Sequence, residues 1–442
     1  MRATTQPRMK LAIVGSGISG LAVAHTLKDH ADITVFEAGD YFGGHTHTVD
    51  VRLPNAEGVL VHHGVDTGFL VFNERTYPNF IALLEDLDIP SARSDMSFSV
   101  QVPRALGQRT LEWNGATLNT VFAQRSNLMR PRFLRMLREI LRFNTLCTGL
   151  AEAQRDSELA QPLEDFLKQH QFSETFKNWY LLPMLACIWS CPTDQMLKFP
   201  VATLVRFCHN HGLIQVNDRP QWHTVAGGAR HYVEKIVARI PDKRLSTPVE
   251  RIERDGRGVH VFTRQGAERF DHVILATHSD QSLKMLAQPT TAEQQILGAV
   301  RYQSNLAVLH TDERVMPQKK LAWAAWNYER AGPEEDAQRV CLHYWLNRLQ
   351  PLPFAQPVLV SLNPIRAIDP KKVLGQYDYA HPVFDLAALQ AQTRMPDIQG
   401  RQATWYAGAW MGYGFHEDGL KAGRAAAQAL LASLNVREAQ AA

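Results

Sequence analysis

The first forty residues constrain the fold more than any other part of the chain. An apolar run at residues 11–14 leads into Gly15-Ser16-Gly17-Ile18-Ser19-Gly20, and a second apolar run at residues 33–36 ends at Glu37. This order of strand, glycine turn, helix, strand and acid is typical of a βαβ unit that binds a dinucleotide. A glycine-rich turn without a ligand is the alternative interpretation.

The three glycines of this motif have different predicted tasks. Gly15 permits the tight turn, Gly17 lets the backbone approach the phosphates, and Gly20 lets the helix pack closely on the strand. Glu37 is predicted to hold the adenosine ribose. The pair Gly43-Gly44 that follows lets the backbone fold over a bound cofactor where a side chain would collide.

Composition limits the class of protein. The 442 residues are too many for one simple core, which predicts two intertwined domains. A formal net charge of +3 gives no support to a nucleic-acid partner. The cysteines are odd in number and scattered, which favours free thiols in a reducing compartment and no metal site. They are Cys147, Cys187, Cys191, Cys208 and Cys341.

No segment of the sequence predicts a signal peptide or a membrane-spanning helix. The N-terminal apolar run is only four residues long, and the longest apolar stretch, residues 179–189, contains Pro183. We therefore expect a cytoplasmic protein, either free or on the inner face of the membrane.

The cofactor domain is predicted to be discontinuous. Helical spacing dominates residues 120–212, and the alternating strand–helix pattern returns near residue 223. Strands are expected at residues 245–252, 273–278 and 404–409, and a long alanine-rich helix at residues 417–434. A cofactor domain assembled from the beginning, middle and end of a chain favours FAD over NAD.

The predicted fold class is α/β. An FAD-binding, Rossmann-like domain with a ββα-layered core takes residues 1–100, 215–290 and 400–436. A mixed α+β substrate domain, made of residues 101–214 and 291–399, is inserted into it.

The segment from Tyr406 to Gly423 is the second informative motif. Gly408, Gly412 and Gly414 lie in a loop before the start of a helix, so backbone N–H groups and a positive helix end can face a polar ligand. In a flavoprotein that ligand is the N1–C2=O edge of the isoalloxazine, where negative charge develops on reduction. The alternative is a helix that packs through small residues.

With both ends considered, the chain resembles the flavin-containing amine oxidoreductase superfamily, which includes monoamine oxidases, phytoene desaturases and protoporphyrinogen oxidases. Within it, the sequence is most similar to the FAD-binding domain that precedes the methyltransferase in plant cyclopropane fatty acid synthases, and to its free-standing bacterial relatives. The motifs behind this resemblance are residues 15–21, 43–45, 94–98, 188–192, 219–222, 325–327, 344–347 and 412–423.

The resemblance implies bound FAD. Glu37 would hold the adenosine ribose, Gly43-Gly44 the pyrophosphate and the Val249 backbone the adenine. Members of the superfamily often have arginine where this chain has His45, so a weaker, pH-sensitive phosphate contact is expected. The implied cofactor-binding residues are Gly15, Ser16, Gly17, Ile18, Ser19, Gly20, Glu37, Ala38, Gly43, Gly44, His45, Val249, Ala276, Gly408, Phe415, His416, Glu417 and Leu420.

Two departures from the amine oxidases affect the predicted chemistry. Those enzymes commonly carry a lysine near the flavin N5, and this chain has Asn305 at the matching position. Phe415 corresponds to one member of their two-aromatic cage. No cysteine lies near residues 379–382, where some of them attach the flavin. Oxidation of small amines and a cysteine-linked FAD are therefore disfavoured.

The resemblance to a domain of fatty acid synthases implies an acyl substrate. The implied reaction dehydrogenates or isomerises an unsaturated or methyl-branched acyl chain of a membrane lipid by hydride transfer to FAD. The alternatives are an amine oxidase and a non-catalytic, FAD-bound module that assists a lipid methyltransferase partner. An NAD-dependent dehydrogenase is disfavoured by the split cofactor domain.

Catalysis and substrate contacts are assigned to particular side chains. His416, Tyr413 and His381 are the candidate catalytic residues, and His45 and His223 are further acid–base candidates. An aromatic slot is expected around the substrate, lined by two or three of seven tryptophans. These are Trp179, Trp189, Trp222, Trp323, Trp326, Trp345 and Trp410.

Residues 125–144 form the predicted membrane contact. Six arginines accompany one acid, Glu139, in this stretch. An apolar face containing Phe133, Met136, Leu137, Ile140, Leu141 and Asn144 lies beside a basic face containing Arg135, Arg138 and Arg142. Such a helix can lie on an anionic membrane, or it can pack its apolar face on the protein's own core.

Overall fold

A computed structural model of the protein describes residues 8–153, 161–189, 193–215, 219–330 and 340–441. Residues 190–192, which include Cys191 and part of one motif behind the resemblance, lie outside the described residues. The other four cysteines are free and buried.

The strands and helices come partly in alternation and partly in runs of one kind. The strands are β1 Met9–Val14, β2 Ala31–Phe36, β3 Thr48–Pro54, β4 Leu60–Asp66, β5 Phe72–Asn73, β6 Ser91–Ser94, β7 Phe98–Leu106, β8 Arg109–Asn114, β9 Trp222–Val225, β10 Asp242–Arg244, β11 Arg251–Arg254, β12 Val259–Thr263, β13 Gly266–Phe270, β14 His272–Leu275, β15 Arg301–His310, β16 Trp326–Arg330, β17 Val340–Trp345, β18 Leu359–Leu362, β19 Val373–Val383 and β20 Thr404–Tyr406. The α-helices are α1 Ile18–Leu27, α2 Pro78–Asp86, α3 Leu118–Val121, α4 Pro131–Glu152, α5 Leu163–Gln169, α6 Glu174–Phe176, α7 Leu182–Trp189, α8 Thr193–Met196, α9 Val201–Asn210, α10 Arg230–Ala238, α11 Ser279–Met285, α12 Thr291–Leu297, α13 Leu346–Leu349, α14 Leu386–Thr393 and α15 His416–Ala441.

A five-stranded parallel sheet collects both ends of the chain. Its strand order is β10-β2-β1-β14-β20, and Ala12 on β1 pairs with Thr34 on one side and Val273 on the other. Residues 11–14 are buried on both faces of the sheet, as an all-parallel sheet requires. The α/β class predicted from the sequence is confirmed.

A seven-stranded mixed sheet forms the second half of the molecule. Its order is β19-β15-β18-β17-β16-β7-β8, so strands from residues 98–114 join strands from residues 301–383. Helices α4 to α9 supply the apolar side chains that pack against this sheet in the largest core. The two sheets draw on different parts of the chain, and the domain boundaries given by the sequence stay a prediction.

The predicted strand at residues 245–252 is wrong. The parallel sheet ends with β10 at Arg244, and the next strand, β11, begins only at Arg251. Ser246 adopts a left-handed φ of 47°. The Thr247 N–H donates to the Glu37 carbonyl, 2.8 Å away. The chain therefore leaves the sheet here and carries Val249 across the end of β2.

Residues 125–144 do not form one helix. A 3₁₀ turn, Arg125–Met129, ends before Pro131, which begins α4 because proline suits a first helical position. Phe133, Met136 and Asn144 are buried in the core, whereas Leu141 is 56% exposed. Most of the predicted apolar face of α4 is therefore packed against the protein itself.

The C-terminal helix differs slightly from its prediction. It begins at His416 and runs to Ala441, beyond the expected end at residue 434. Gly419 and Gly423 bring it against α1, because a Cβ on Gly423 would lie 2.3 Å from the Ser19 carbonyl oxygen. Within the described part of the chain, the helices are all too short or too polar to cross a bilayer.

Candidate cofactor and substrate site

A cavity of about 1090 Å³ lies between the two sheets and has two different ends. One end is formed by the glycine loop after β1, the ends of β2 and β14, and residues 43–45. The other is formed by apolar and aromatic side chains from α7, α9, β16 and residues 413–415. We call these the cofactor end and the apolar end.

The glycine loop presents an open helix terminus to the cofactor end. Gly15 donates its N–H to the Phe36 carbonyl, 2.8 Å away, which joins β1 to β2. Helix α1 has no side-chain cap and no acidic residue in its first turn. A Cβ on Gly17 would meet no atom within 4 Å. This terminus therefore offers free N–H groups and space to an anion such as a pyrophosphate.

Gly20 does not line the cavity, and its constraint is one of packing. A Cβ there would lie 2.0 Å from the Gly15 carbonyl oxygen and 3.3 Å from the Ala276 Cβ. Gly20 thus lets α1 sit directly over the turn, while Gly17 leaves room for a ligand.

Glu37 is held rigidly at the end of β2. Its Oε2 accepts hydrogen bonds from the Ser16 N–H (2.9 Å) and the Ser16 hydroxyl (2.5 Å), and its Oε1 accepts from the Gly39 N–H (2.9 Å). Ala38 and Val249 lie on the same wall. The carboxylate is therefore oriented at the place where a dinucleotide ribose is expected.

His45 follows two glycines with positive φ, 122° at Gly43 and 58° at Gly44. Burial, together with the neighbouring His381 and His278, lowers its pKa to about 3. The imidazole is therefore neutral near pH 7, and the weaker, pH-sensitive phosphate contact expected there stays a prediction. Its Nε2 is enclosed and has no hydrogen-bond partner within the described part of the chain. This orphaned nitrogen fits the presence of a polar cofactor group.

Asn305 lies one layer behind the cavity wall. It is fully buried, and its Nδ2 lies 3.2 Å from Nδ1 of His381, which does line the cavity. Because the amide donates, the His381 Nδ1 accepts and Nε2 carries the proton. Burial lowers the pKa of His381 to about 4. Asn305 therefore orients a neutral imidazole.

His416 lines the cavity but is already engaged. Its Nε2 lies 2.8 Å from the Tyr232 hydroxyl, and its ring stacks on Phe69 with centroids 3.8 Å apart. Burial lowers its pKa to about 3. These contacts fix the orientation of the His416 ring at the start of α15, and its catalytic role stays a prediction. His223 does not reach the cavity wall.

Glu417 and Leu420 lie outside the cavity, which corrects their assignment to cofactor binding. The Glu417 carboxylate accepts from the Asn79 N–H (3.1 Å), the Asn79 side-chain amide (2.6 Å) and the Phe80 N–H (2.9 Å). It therefore caps the first turn of α2. Leu420 is fully buried in the core beside α1.

The other predicted site residues come together around the cavity. Those on its wall are Gly15, Ser16, Gly17, Ile18, Ser19, Glu37, Ala38, Gly43, Gly44, His45, Val249, Ala276, His381, Gly408, Tyr413, Phe415 and His416. Gly408 and Gly414 contribute to the wall, whereas Gly419 serves helix packing, so both interpretations of this glycine-rich segment apply to different glycines.

The apolar end is richer in tryptophan than expected. Trp189, Trp222 and Trp326 line it, and Trp410 lines the cavity beside Gly408. Four of the seven candidate tryptophans therefore face the cavity, instead of two or three. The remaining side chains of the apolar end are Met96, Phe98, Met184, Cys187, Ile188, Phe207, His211, Leu213, Tyr344, Leu362, Phe384, Tyr413 and Phe415.

No charged side chain among the described residues belongs to the apolar end. The charged residues on the cavity wall are Glu37, Glu250, Lys284 and Asp378, and none of them is on an element that forms this end. The two ends therefore differ in charge as well as in shape.

His211 was missed by the sequence interpretation. It follows α9, and its Nδ1 lies 3.0 Å from the Phe207 carbonyl, which can only accept, so Nδ1 carries the proton. Its Nε2 has no partner among the described residues and is not enclosed. Burial lowers its pKa to about 4. A histidine after a helix end carries no motif that distinguishes it from a surface residue.

Phe415, the predicted member of an aromatic cage, stacks on Phe207 with ring centroids 4.8 Å apart. Phe207 also stacks on His211, with centroids 3.9 Å apart. Phe415, Phe207 and His211 therefore form one layered wall at the apolar end.

A buried polar group on the seven-stranded sheet is separate from the cavity. Glu329, Cys341 and His343 lie close enough to share a cation, but the Arg366 guanidinium is 2.9 Å from the Glu329 carboxylate. Burial alone lowers the pKa of His343, but Cys341 and Glu329 outweigh it and raise the pKa to about 9. An internal ion pair describes these residues better than a metal site does.

The fold and the cofactor end define an FAD-dependent oxidoreductase. Residues 18–361 match the family described as flavin containing amine oxidoreductase, and the chain belongs to that family. The closer likeness to the cyclopropane synthase domain stays a prediction.

Comparison with known proteins agrees with this assignment. A Mycobacterium tuberculosis protein described as a flavin-containing monoamine oxidase, AofH, is 25% identical over 286 residues, which cover 62% of this chain and 58% of that protein. The match thus spans less than two thirds of that relative. A lysine-specific histone demethylase 1B homolog from Caenorhabditis elegans is 26% identical over 65% of this chain and 34% of its own length.

Solved structures share the fold over nearly the whole chain. Cyclohexylamine oxidase from Brevibacterium oxydans has a TM-score of 0.67 at 17% identity and covers 97% of this chain and 100% of its own. A fatty acid isomerase from P. acnes has a TM-score of 0.64 at 15% identity, with 96% and 98% covered. The FAD-binding fold class predicted from the sequence is confirmed.

Proposed function

We propose that the protein dehydrogenates or isomerises an unsaturated or methyl-branched acyl chain of a lipid by hydride transfer to FAD. The observation that carries this proposal is the apolar end of the cavity, which is rich in aromatic side chains and free of charged ones among the described residues. The transfer of an acyl chain from water into such a site is favourable.

A charged substrate group is disfavoured at the apolar end. An ammonium or carboxylate brought there would lose its hydration and find no counter-charge. The free-energy cost of burying such an unpaired charge is on the order of several kcal/mol. This argument disfavours small cationic amines and free carboxylates near the reacting carbon, and it leaves neutral carbon chains.

The residues of the cofactor end would hold FAD. The α1 terminus at Gly17 suits the pyrophosphate, Glu37 the ribose, and the His45 Nε2 a further polar group of the cofactor. When bound, FAD supplies an acceptor for two electrons as a hydride. Phe207 and Phe415 of the layered wall, together with Trp222, would exclude water and orient the chain. The reacting C–H needs to lie about 3–3.5 Å from the acceptor atom.

We propose that His211 accepts the proton that dehydrogenation releases. Forming a C=C bond from two C–H bonds removes one hydride and one proton, so a proton acceptor is needed beside the chain. The free Nε2 of His211 is a neutral acceptor at the apolar end. Isomerisation, in which the hydride returns to another carbon of the same chain, releases no proton and needs no such group.

One relative of known structure supports an acyl substrate. The P. acnes protein with this fold is described as a fatty acid isomerase, so the architecture is compatible with a lipid chain. The competing proposal is an amine oxidase, favoured by the description of AofH. A non-catalytic module for a lipid methyltransferase is the third possibility.

The test uses the purified, FAD-loaded protein under anaerobic conditions. Lipid extracts separated by class are added, and loss of the visible absorbance of oxidised flavin is recorded together with the mass spectrum of the lipid. Dehydrogenation predicts bleaching and loss of two hydrogens, whereas isomerisation predicts a shifted double bond at constant mass. A matched panel of primary amines should cause neither change.

Three other outcomes contradict the proposal in different ways. Bleaching by amines, followed by peroxide release in air, identifies an amine oxidase. Retained flavin with no change in any lipid identifies an accessory module. A colourless protein that does not take up FAD removes the redox assignment altogether.

A further inference from the structure

We propose that a surface formed by α3 and the adjoining 3₁₀ turn docks the protein on an anionic lipid bilayer. We call this surface the basic tip and define it by Leu118, Leu128 and Met129 together with Arg125, Arg130 and Arg132. It is not the face of α4 that the sequence predicted, and membrane attachment through it does not depend on the proposed reaction.

The basic tip exposes large apolar side chains. Met129 is 84% exposed and Leu118 is 80% exposed, which makes them the most exposed of the large hydrophobic residues that the structure describes. Leu128, beside Met129, is 52% exposed. Exposed apolar side chains that cluster in this way mark a surface that meets another apolar phase.

The tip is preformed. The Arg125 guanidinium donates to the Asn119 carbonyl (3.2 Å), the Asn119 side chain (2.7 Å) and the Phe122 carbonyl (3.0 Å), which ties the 3₁₀ turn to α3. Arg130 donates to the Asn127 side chain at 3.0 Å. Thr117 caps α3 through the Thr120 N–H. The apolar side chains are therefore held outward by a fixed backbone.

The charge around the tip has one sign. Residues 104–142 contain eight arginines and only two acids, Glu112 and Glu139. Both acids are buried, 2% and 7% exposed. The Glu112 carboxylate accepts from the backbone N–H groups of residues 318 and 319, and Glu139 accepts from Ser173 and Arg135. No acidic side chain of this segment therefore reaches the surface.

A neighbouring turn extends the basic surface. The 3₁₀ helix Lys320–Ala322 packs beside α3 and β8, and Leu321 on it is 38% exposed. Lys319 and Lys320 add two cations to this side of the tip. An anionic bilayer matches both properties of the surface, because its headgroups pair with the cations and its acyl region takes the apolar side chains.

The location of the tip links the bilayer to the cavity. Gly115 donates its N–H to the Phe98 carbonyl at 2.9 Å, and Phe98 lines the apolar end. Leu118 follows Gly115 by only three residues. Because three residues span at most about 10 Å, Leu118 on the tip lies within that distance of the backbone at Gly115. If the proposed function holds, a docked protein has its apolar end beside its acyl substrate. Only this link between docking and substrate rests on the proposed function.

Two further arginines of this region, Arg135 and Arg142, lie on α4 and are bonded to neighbouring groups. Arg135 is paired with Glu139 at 3.2 Å, and Arg142 donates to the His170 carbonyl at 2.7 Å. Most of the apolar face of α4 is buried, although Leu141 is exposed, so this helix mainly supports the tip.

The test is flotation of the FAD-loaded protein with vesicles, without any substrate turnover. Wild-type protein should float with vesicles of phosphatidylcholine and phosphatidylglycerol, and not with phosphatidylcholine alone. The double variant L118D/M129D should weaken this binding on the order of tenfold or more, because two anchors become anionic. Arg132→Gln should weaken it about fivefold and reduce its salt dependence.

Leu386→Asp is the matched control, since Leu386 is 60% exposed on the distant helix α14. It should bind vesicles as the wild type does. All variants should keep the flavin absorbance and the unfolding midpoint of the wild type, which shows that they fold. The proposal is overturned if the wild type does not float with anionic vesicles, or if L118D/M129D binds them as well as L386D.

Discussion

The two ends of the cavity are built in different ways. The cofactor end depends on backbone: Gly15, Gly17 and Gly44 lie in two short stretches, and Glu37 is fixed by N–H groups of its neighbours. The apolar end depends on side chains from elements spread between residues 96 and 415. A ligand recognised by backbone groups thus leaves a local motif, whereas a cavity shaped by side chains does not.

The largest expected effect concerns Gly20, where packing leaves no space. The Cβ of Gly20→Ala would lie 2.0 Å from the Gly15 carbonyl oxygen, so α1 must move off the turn. We expect the free energy of unfolding to fall by about 3 kcal/mol or more, as for severe overpacking. Chemical denaturation of the FAD-free protein measures this, and a wild-type midpoint would contradict the packing role.

Gly17→Ala is the matched change at the cofactor end. Its Cβ meets no protein atom within 4 Å, so the FAD-free protein should unfold as the wild type does. The methyl group would occupy space that the bound cofactor needs. The affinity for FAD should therefore fall about tenfold or more, which corresponds to a loss of about 1.4 kcal/mol in binding free energy. Flavin fluorescence titration gives the affinity. Unchanged affinity would mean that FAD does not approach this turn.

The apolar end is tested by His211→Asn. If dehydrogenation is the reaction, loss of a proton acceptor should lower kcat about 100-fold, the usual scale for general base catalysis, with KM and FAD affinity little changed. The lipid class that bleaches the flavin serves as substrate. A variant as active as wild type would favour isomerisation, since that reaction releases no proton.

The lowered pKa of His416, which lies where the two ends of the cavity meet, should make the folded protein less stable in acid. Its pKa of about 3 in the folded protein lies below the usual 6.5, so between these values the unfolded chain binds a proton that the folded one does not. Stability therefore falls as the pH is lowered from 6.5. The free energy of unfolding of the FAD-free wild type should fall between pH 7 and pH 5. This fall should be larger by about 2 kcal/mol than the fall measured for His416→Gln. Equal pH dependence would show that His416 titrates normally.

The smallest effect is expected at Glu417. Glu417→Gln weakens the cap on α2 and should lower the free energy of unfolding by about 1 kcal/mol. FAD affinity should not change, because the carboxylate faces Asn79 and Phe80 and not the cavity. A selective loss of FAD would restore the sequence-based assignment of this residue to the cofactor.

Much of the cofactor end could be predicted from the sequence. The motif at residues 15–20 and the acid at Glu37 place a helix terminus and a carboxylate by spacing alone, and both lie on the cavity wall. The strand prediction failed at residues 245–252, because Val249 and its neighbours are apolar for contact with the cavity and not for a sheet. Glu417 was misassigned because a carboxylate in a motif looks the same whether it caps a helix or binds a ligand.

The apolar end could not be predicted in detail. Trp189, Trp222 and Trp326 come from three separate elements, and only the tertiary fold brings them to one wall. His211 depends on a hydrogen bond to the Phe207 carbonyl that fixes its tautomer. The apolar stripe of α4 was correctly recognised, but a stripe does not reveal whether core or bilayer covers it.

The parallel sheet has a consequence for how the protein is made. Strand β20 at residues 404–406 completes the sheet beside β14, and α15 then covers α1. A nascent chain that has not yet reached residues 404–423 therefore has an unpaired β14 edge in its parallel sheet and an α1 that the C-terminal helix does not yet cover.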